Sequence, residues 1–174
     1  KMAIGQFSIM YLNKNENTLT LVRDRVGQKP LFYYKNSQDL LISTNLKAIL
    51  KLKKDFNIRD DSLKEYFDTG VISAPNTLFE EIYKLQPGEV VTISIEENFR
   101  HKKQKFWSIG DTTLTDKKPF IQEEFKELLI DSVKIRQNAD VKVANLLSGG
   151  IDSTTILKLA KENTTSYSLN TFSI

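Results

Sequence analysis

The stretch Val141-Lys142-Val143-Ala144-Asn145-Leu146-Leu147-Ser148-Gly149-Gly150-Ile151-Asp152-Ser153-Thr154-Thr155 decides how the chain is read. Residues 141–147 form a short apolar run of the kind expected of a strand buried on both faces. A glycine pair follows at once, then a helix-period segment ending near Glu162 with Ile156, Leu159 and Ala160 on its inner face. Residues 167–174 read as a further strand. Strand, loop, helix and strand in that order make the βαβ unit of a parallel sheet.

The loop between strand and helix carries the strongest chemical signal. Two glycines at such a junction let the backbone approach a ligand closely and adopt conformations closed to other residues. The helix that follows offers free N–H groups and the positive end of its dipole, so the junction can cradle an oxyanion. Ser148 and Ser153 add hydroxyl donors, with Thr154 as an auxiliary. Asp152 is the odd member, because a carboxylate repels phosphate unless a divalent cation bridges them; its presence points to Mg²⁺ with pyrophosphate. The segment is not a Walker loop, which needs Gly-Lys-Ser/Thr after four intervening residues, nor a Gly-x-Gly-x-x-Gly dinucleotide fingerprint. The structural alternative is a tight strand–helix turn with Asp152 as N-cap.

Upstream, residues 120–137 give the longest helical pattern. Ile121, Phe125, Leu128, Leu129 and Ser132 form its apolar stripe, with Glu123 and Glu124 early and Lys134 and Arg136 late, as the helix dipole favours. Residues 111–118 are polar and read as a linker that ends at Pro119. Before the linker the pattern is mostly short strands. Residues 6–12 and 18–22 look like a hairpin around a polar turn, Leu31-Phe32-Tyr33-Tyr34 and Leu40-Leu41-Ile42 are further strands, and residues 89–95 alternate behind a Pro87-Gly88 turn. Two short helices interrupt them. Residues 45–52 place Leu46, Ile49 and Leu50 on one face, and Ser62-Leu63-Lys64-Glu65 has capping-box form, with Leu63, Tyr66 and Phe67 on a stripe and Gly70 as the stop. Arg23-Asp24-Arg25 reads as a salt-bridged strand end, Arg100-His101-Lys102-Lys103 as a solvated basic stretch, and Trp107 as closing the first domain.

Composition bounds the function. The chain has 174 residues with a net charge of +3, mildly basic and short of a charge-driven nucleic-acid binder. No apolar run approaches the roughly 18 residues of a membrane span, and no secretory signal is evident, so the expected location is the cytoplasm. Cysteine is absent and His101 is the one histidine. Disulfides, thiolate or multi-histidine metal sites and a cysteine nucleophile are thereby excluded from these residues.

Residues 146–153 resemble the pyrophosphate loop of N-type ATP pyrophosphatases, specifically of glutamine-hydrolysing asparagine synthetases. Val22-Arg23-Asp24-Arg25-Val26-Gly27-Gln28-Lys29-Pro30-Leu31-Phe32-Tyr33-Tyr34 is similar to that family's ARDRxGxKPLYY segment. Ile42-Ser43-Thr44-Asn45-Leu46-Lys47-Ala48 is similar to FASExKAL, with Asn45 where glutamate is usual. Residues 76–88 are similar to RTLFxxIxKLPPG. The order and spacing of the four segments match along essentially the whole chain.

The resemblance implies an α+β part followed by an α/β part. The first, over residues 1–113, is the C-terminal part of an αββα glutaminase-like sandwich; the second, over residues 114–174, is the start of a parallel-sheet ATP pyrophosphatase domain. It implies an ATP-dependent carbon–nitrogen ligase that takes ammonia from glutamine and activates a carboxylate, classically of aspartate, yielding asparagine, glutamate, AMP and pyrophosphate. Ser148, Gly149, Gly150, Asp152 and Ser153 would hold the pyrophosphate part of ATP, with Asp152 toward Mg²⁺, and Leu146 and Ile174 would contact the nucleotide. The implied partners are small molecules, namely ATP, glutamine and an aspartate-like carboxylate, with neither nucleic acid nor membrane; homo-oligomerisation stays open. The family's glutaminase nucleophile is an N-terminal cysteine, and here residue 1 is Lys, so no catalytic residue is assigned. The expectation is an incomplete piece of such an enzyme, inactive alone; the alternatives are a non-catalytic nucleotide-binding or scaffold relative, and a relative acting on another carboxylate. Unpaired strand edges near residues 141–147 and 167–174 would favour self-association.

Overall fold

The computed structural model describes residues 3–111, 119–163 and 169–173. The chain divides into two compact units, Lys1–Thr113 and Leu114–Ile174. The first contains β1 (Ser8–Asn13), β2 (Thr18–Arg23), β3 (Phe32–Lys35), β4 (Leu40–Ser43), α1 (Leu46–Leu52), α2 (Asp60–Thr69), β5 (Ile82–Lys84), β6 (Glu89–Ser94) and β7 (Arg100–Lys105). The second contains α3 (Gln122–Arg136), β8 (Ala144–Leu146), α4 (Ile151–Glu162) and β9 (Asn170–Phe172).

Two antiparallel sheets build the first unit, one ordered β1-β2-β6-β7 and the other β4-β3-β5. The period-2 alternation of β2 and β6 puts Leu19, Leu21, Val91 and Ile93 on one face, in a register that pairs Leu21 with Val91 and Leu19 with Ile93. These four pack with Leu31, Tyr33 and Leu85 into one core. The neighbouring residue of β3, Tyr34, points the other way into a second core with Ile49 of α1 and Ile82 of β5. Each such aliphatic side chain contributes about 1.5–3 kcal/mol by leaving water. Antiparallel sheets, a covering helix and a short parallel sheet therefore coexist, a mixed α/β architecture in keeping with the expected fold class.

Asn45 caps α1: its side chain accepts from the Lys47 N–H at 3.0 Å, which is the role asparagine fills well at a helix start. Gly88 is required where it stands. Its φ is +66°, and an added Cβ would come within 2.2 Å of the Trp107 carbonyl oxygen. The Glu89 N–H bonds back to the Gln86 carbonyl at 3.2 Å, closing the Pro87-Gly88 turn as expected.

Three local expectations are corrected. Helix α2 begins at Asp60, so Ser62 lies inside it with a buried, unpartnered Oγ and forms no capping box. Asp60 and Asp61 supply the negative charge that the first turn favours, and Glu65 instead accepts from the Ser73 N–H at 3.1 Å. Tyr66 and Phe67 are exposed, while Gly70 does end the helix at φ +77°. The Arg100 stretch is solvated as expected, with Arg100, Lys102 and Lys103 exposed, and it also forms an edge strand, β7, whose pairing of Lys103 with Val91 turns that lysine toward the core side. Its Nζ lies 5.8 Å and 6.0 Å from the ring centroids of Tyr33 and Tyr83, so a charged side chain completes an aromatic cluster.

Arg23 and Asp24, expected as part of a salt-bridged strand end, form no ion pair with each other. Arg23, 8% exposed, donates to the carbonyls of Lys29, Leu85 and Gly27. Asp24, 1% exposed, accepts from the N–H groups of Gln28 and Lys29, each at 3.0 Å. Burial acts to raise the Asp24 carboxyl, but hydrogen bonding from the backbone of Lys29, Gln28, Phe7 and Gly27 outweighs it and holds the group below its ordinary value. Together the two side chains tie residues 24–29 to the Leu85 strand end, using backbone groups that would otherwise be orphaned.

In the second unit, α3 and α4 pack through Val133, Leu159 and Ala160, flanked by Leu129, Ile130 and Leu169. The α3 stripe is therefore rolled by about one residue relative to expectation, leaving Ile121, Phe125 and Leu128 exposed. Ile156 is also exposed, and Val141 and Leu146 are open to solvent where burial on both faces was expected. A two-stranded sheet shields too little surface to bury its strands twice. β8 and β9 do pair in parallel, with Leu146 opposite Phe172, which establishes the βαβ order. The polar segment expected as a linker lies, apart from Asp111, outside the described residues. Among the described residues, no helix is long and apolar enough to cross a membrane.

Candidate functional site: a strand–helix loop in the second unit

The parallel pair β8–β9 delivers the chain to the loop: the Leu147 N–H still bonds to the Phe172 carbonyl at 2.8 Å. Gly149 then turns with φ +81°, a left-handed conformation that glycine adopts without a Cβ penalty. Gly150 returns to extended geometry, φ −76° and ψ 163°, and serves as the N-cap of α4 with no side chain to fill the cap. Space around the turn is open, since an added Cβ at Gly149 would meet nothing within 4 Å.

Ser148 and Ser153 are brought together across the loop, with their hydroxyl oxygens 3.1 Å apart. Ser153 Oγ also donates to the Gly150 carbonyl at 3.1 Å, and Thr154 Oγ1 to the same oxygen at 2.8 Å. Thr154, an auxiliary on sequence grounds, is thus part of the pin that fixes Gly150; the Ser-Thr-Thr run after Asp152 is its signal. Asp152 is not the N-cap. It sits in the first turn of α4, exposed, and its carboxylate has no hydrogen bond or ion pair among the described residues. The helix dipole favours a carboxylate there, and that carboxylate is free to meet a cation.

Leu146 lies at the end of β8, exposed, one residue before the last backbone bond to β9. Ile174 lies outside the described residues. Behind β8 a cavity of ≈ 340 Å³ is lined by Ser132, Arg136, Gln137 and Asn145 among apolar side chains, and Asn145 keeps a buried amide nitrogen with no partner. No group of three or more His, Cys, Asp or Glu capable of holding a metal occurs among the described residues. Any cation at the loop would therefore have Asp152 as its one carboxylate from the loop, and would share its remaining sites with water and ligand oxygens, as Mg²⁺ commonly does.

The first unit is thus built on two antiparallel sheets, and the second on a strand–glycine loop–helix–strand unit with a parallel pair. The family model described as glutamine amidotransferase domain matches residues 1–107, and that described as asparagine synthase matches residues 124–174. A Methanocaldococcus jannaschii protein provisionally named asparagine synthetase (glutamine-hydrolyzing) 2 is 35% identical over 98% of this chain and 33% of its own length. Asparagine synthetase (glutamine-hydrolyzing) 1 of Bacillus subtilis is 29% identical over 98% of this chain and 26% of its own length. Amidase chry2 of Gibberella zeae is 33% identical over 87% of this chain and 22% of its own length. The chain belongs to the family of glutamine-hydrolysing asparagine synthetases. It spans a third or less of the length of these relatives.

Proposed function

We propose that these residues serve an ATP-dependent, glutamine-hydrolysing amidotransferase of the asparagine synthetase type, working in the cytoplasm. Ser148, Gly149, Gly150, Asp152 and Ser153 would hold the pyrophosphate portion of ATP, with Leu146 and Ile174 at the nucleotide. The observation that carries the reading is the left-handed turn at Gly149, which leaves the first turn of α4 open beside two converging hydroxyls. The residues fit such a ligand: the donors are neutral N–H and O–H groups, the space above Gly149 is empty, and the Asp152 carboxylate has no internal partner.

In this reading the first-turn N–H groups and the Ser148 and Ser153 hydroxyls orient the phosphate oxygens. Ser153, now shared with the Gly150 carbonyl, would turn outward to donate to the anion. ATP with Mg²⁺ would supply the adenylating chemistry, and the first-turn N–H groups, held in place by the helix, would receive the charge developing on a leaving pyrophosphate and so lower the barrier. Asp152 would hold Mg²⁺ close to the loop. None of these 174 residues is a cysteine, so glutamine hydrolysis by the family's nucleophile is not carried by them, and the chain alone is proposed to catalyse neither half-reaction.

One other reading has support of its own: amidase chry2 bears the name of an amidase and not of an asparagine synthetase, which leaves room for a relative acting on another carboxylate. Calorimetry with ATP and Mg²⁺ tests the loop. Removing a charged contact of about 1.5–3 kcal/mol should weaken metal-dependent binding by Asp152→Ala roughly 10- to 100-fold. A folded wild-type chain without affinity for ATP and Mg²⁺ would sink the assignment of the loop.

A further inference from the structure

We draw no further inference here: the strongest candidate, the apolar groove of ≈ 300 Å³ on the outer face of the four-stranded sheet lined by Phe7, Ile9, Val22, Val90 and Phe106, is an unpartnered sheet face, and nothing in the structure shows what covers it.

Discussion

Replacing Arg23 with methionine keeps much of the side-chain volume and removes every donor. Three carbonyls then lose their partner: Leu85 O, bonded where the contact is buried, and Lys29 O and Gly27 O, where it is partly so. An orphaned buried acceptor costs about 1–3 kcal/mol, and the two partly buried ones recover some bonding from water, giving a total of about 3–5 kcal/mol. Asp24, 1% exposed, also loses the cation beside it. Against a typical domain stability of about 5–15 kcal/mol this is a large fraction. Trp107, the single tryptophan, belongs to the first unit, so its fluorescence in urea reports on that unit. With a slope of about 1–2 kcal/mol per molar urea, the midpoint should fall by roughly 1.5–5 M. Arg25→Met is the control: Arg25 is exposed, and its loss should shift stability by less than about 0.5 kcal/mol. Equal midpoints for wild type and Arg23→Met would refute the reasoning, as would equal damage from the two substitutions.

Gly88→Ala places a Cβ 2.2 Å from the Trp107 carbonyl oxygen at a φ of +66°, so it should cost at least ~2 kcal/mol and shift tryptophan emission; unchanged thermal unfolding would contradict it. His101 is held below its ordinary value, chiefly by burial and also by Lys35 and Lys103, with Glu89 opposing. Its folded state therefore resists protonation, so its contribution to stability is full above the unfolded value of about 6.5 and declines as pH falls through that value toward the lower folded one. Urea midpoints between about pH 7 and 5 should show this decline, and His101→Gln should flatten it; a slope untouched by the substitution would reject the account. Glutamate release from glutamine should stay at background for the purified chain, and turnover at enzymatic rates would overturn the proposal that these residues lack a working nucleophile.

How much was legible follows from where each signal resides. β2 and β6 were readable because Leu19, Leu21, Val91 and Ile93 alternate with polar or half-buried partners, a period-2 pattern written in the residues themselves. The turn at Gly149-Gly150 was equally local, since left-handed backbone narrows the choice of residue. β7 escaped because its core-side positions are His101, Lys103 and Lys105, and a lysine that reaches two tyrosine rings looks, in sequence, like any solvated lysine. Charge on an edge strand is also what guards it from unwanted pairing, so the same residues hide the strand and protect it. The start of α2 carries little local signal, because its first turn is stabilised by Asp60 and Asp61, which resemble ordinary surface acids. The roll of α3 depended on where Leu159 and Ala160 of α4 meet it, a tertiary fact with no local trace. At the loop, residues 148–153 carry the backbone path and the donors in their own identities, whereas the shared grip of Ser153 and Thr154 on one carbonyl depends on the rotamers they adopt once the helix has formed.

β3 holds two adjacent tyrosines that look in opposite directions, Tyr33 into the space between the sheets and Tyr34 beneath the helix. Because one four-residue strand is common wall to both interiors, neither can loosen without uncovering a phenol of the other. A fault introduced on the helical side must be felt between the sheets, and the two interiors should be lost together, as rooms sharing a single partition come down when it does.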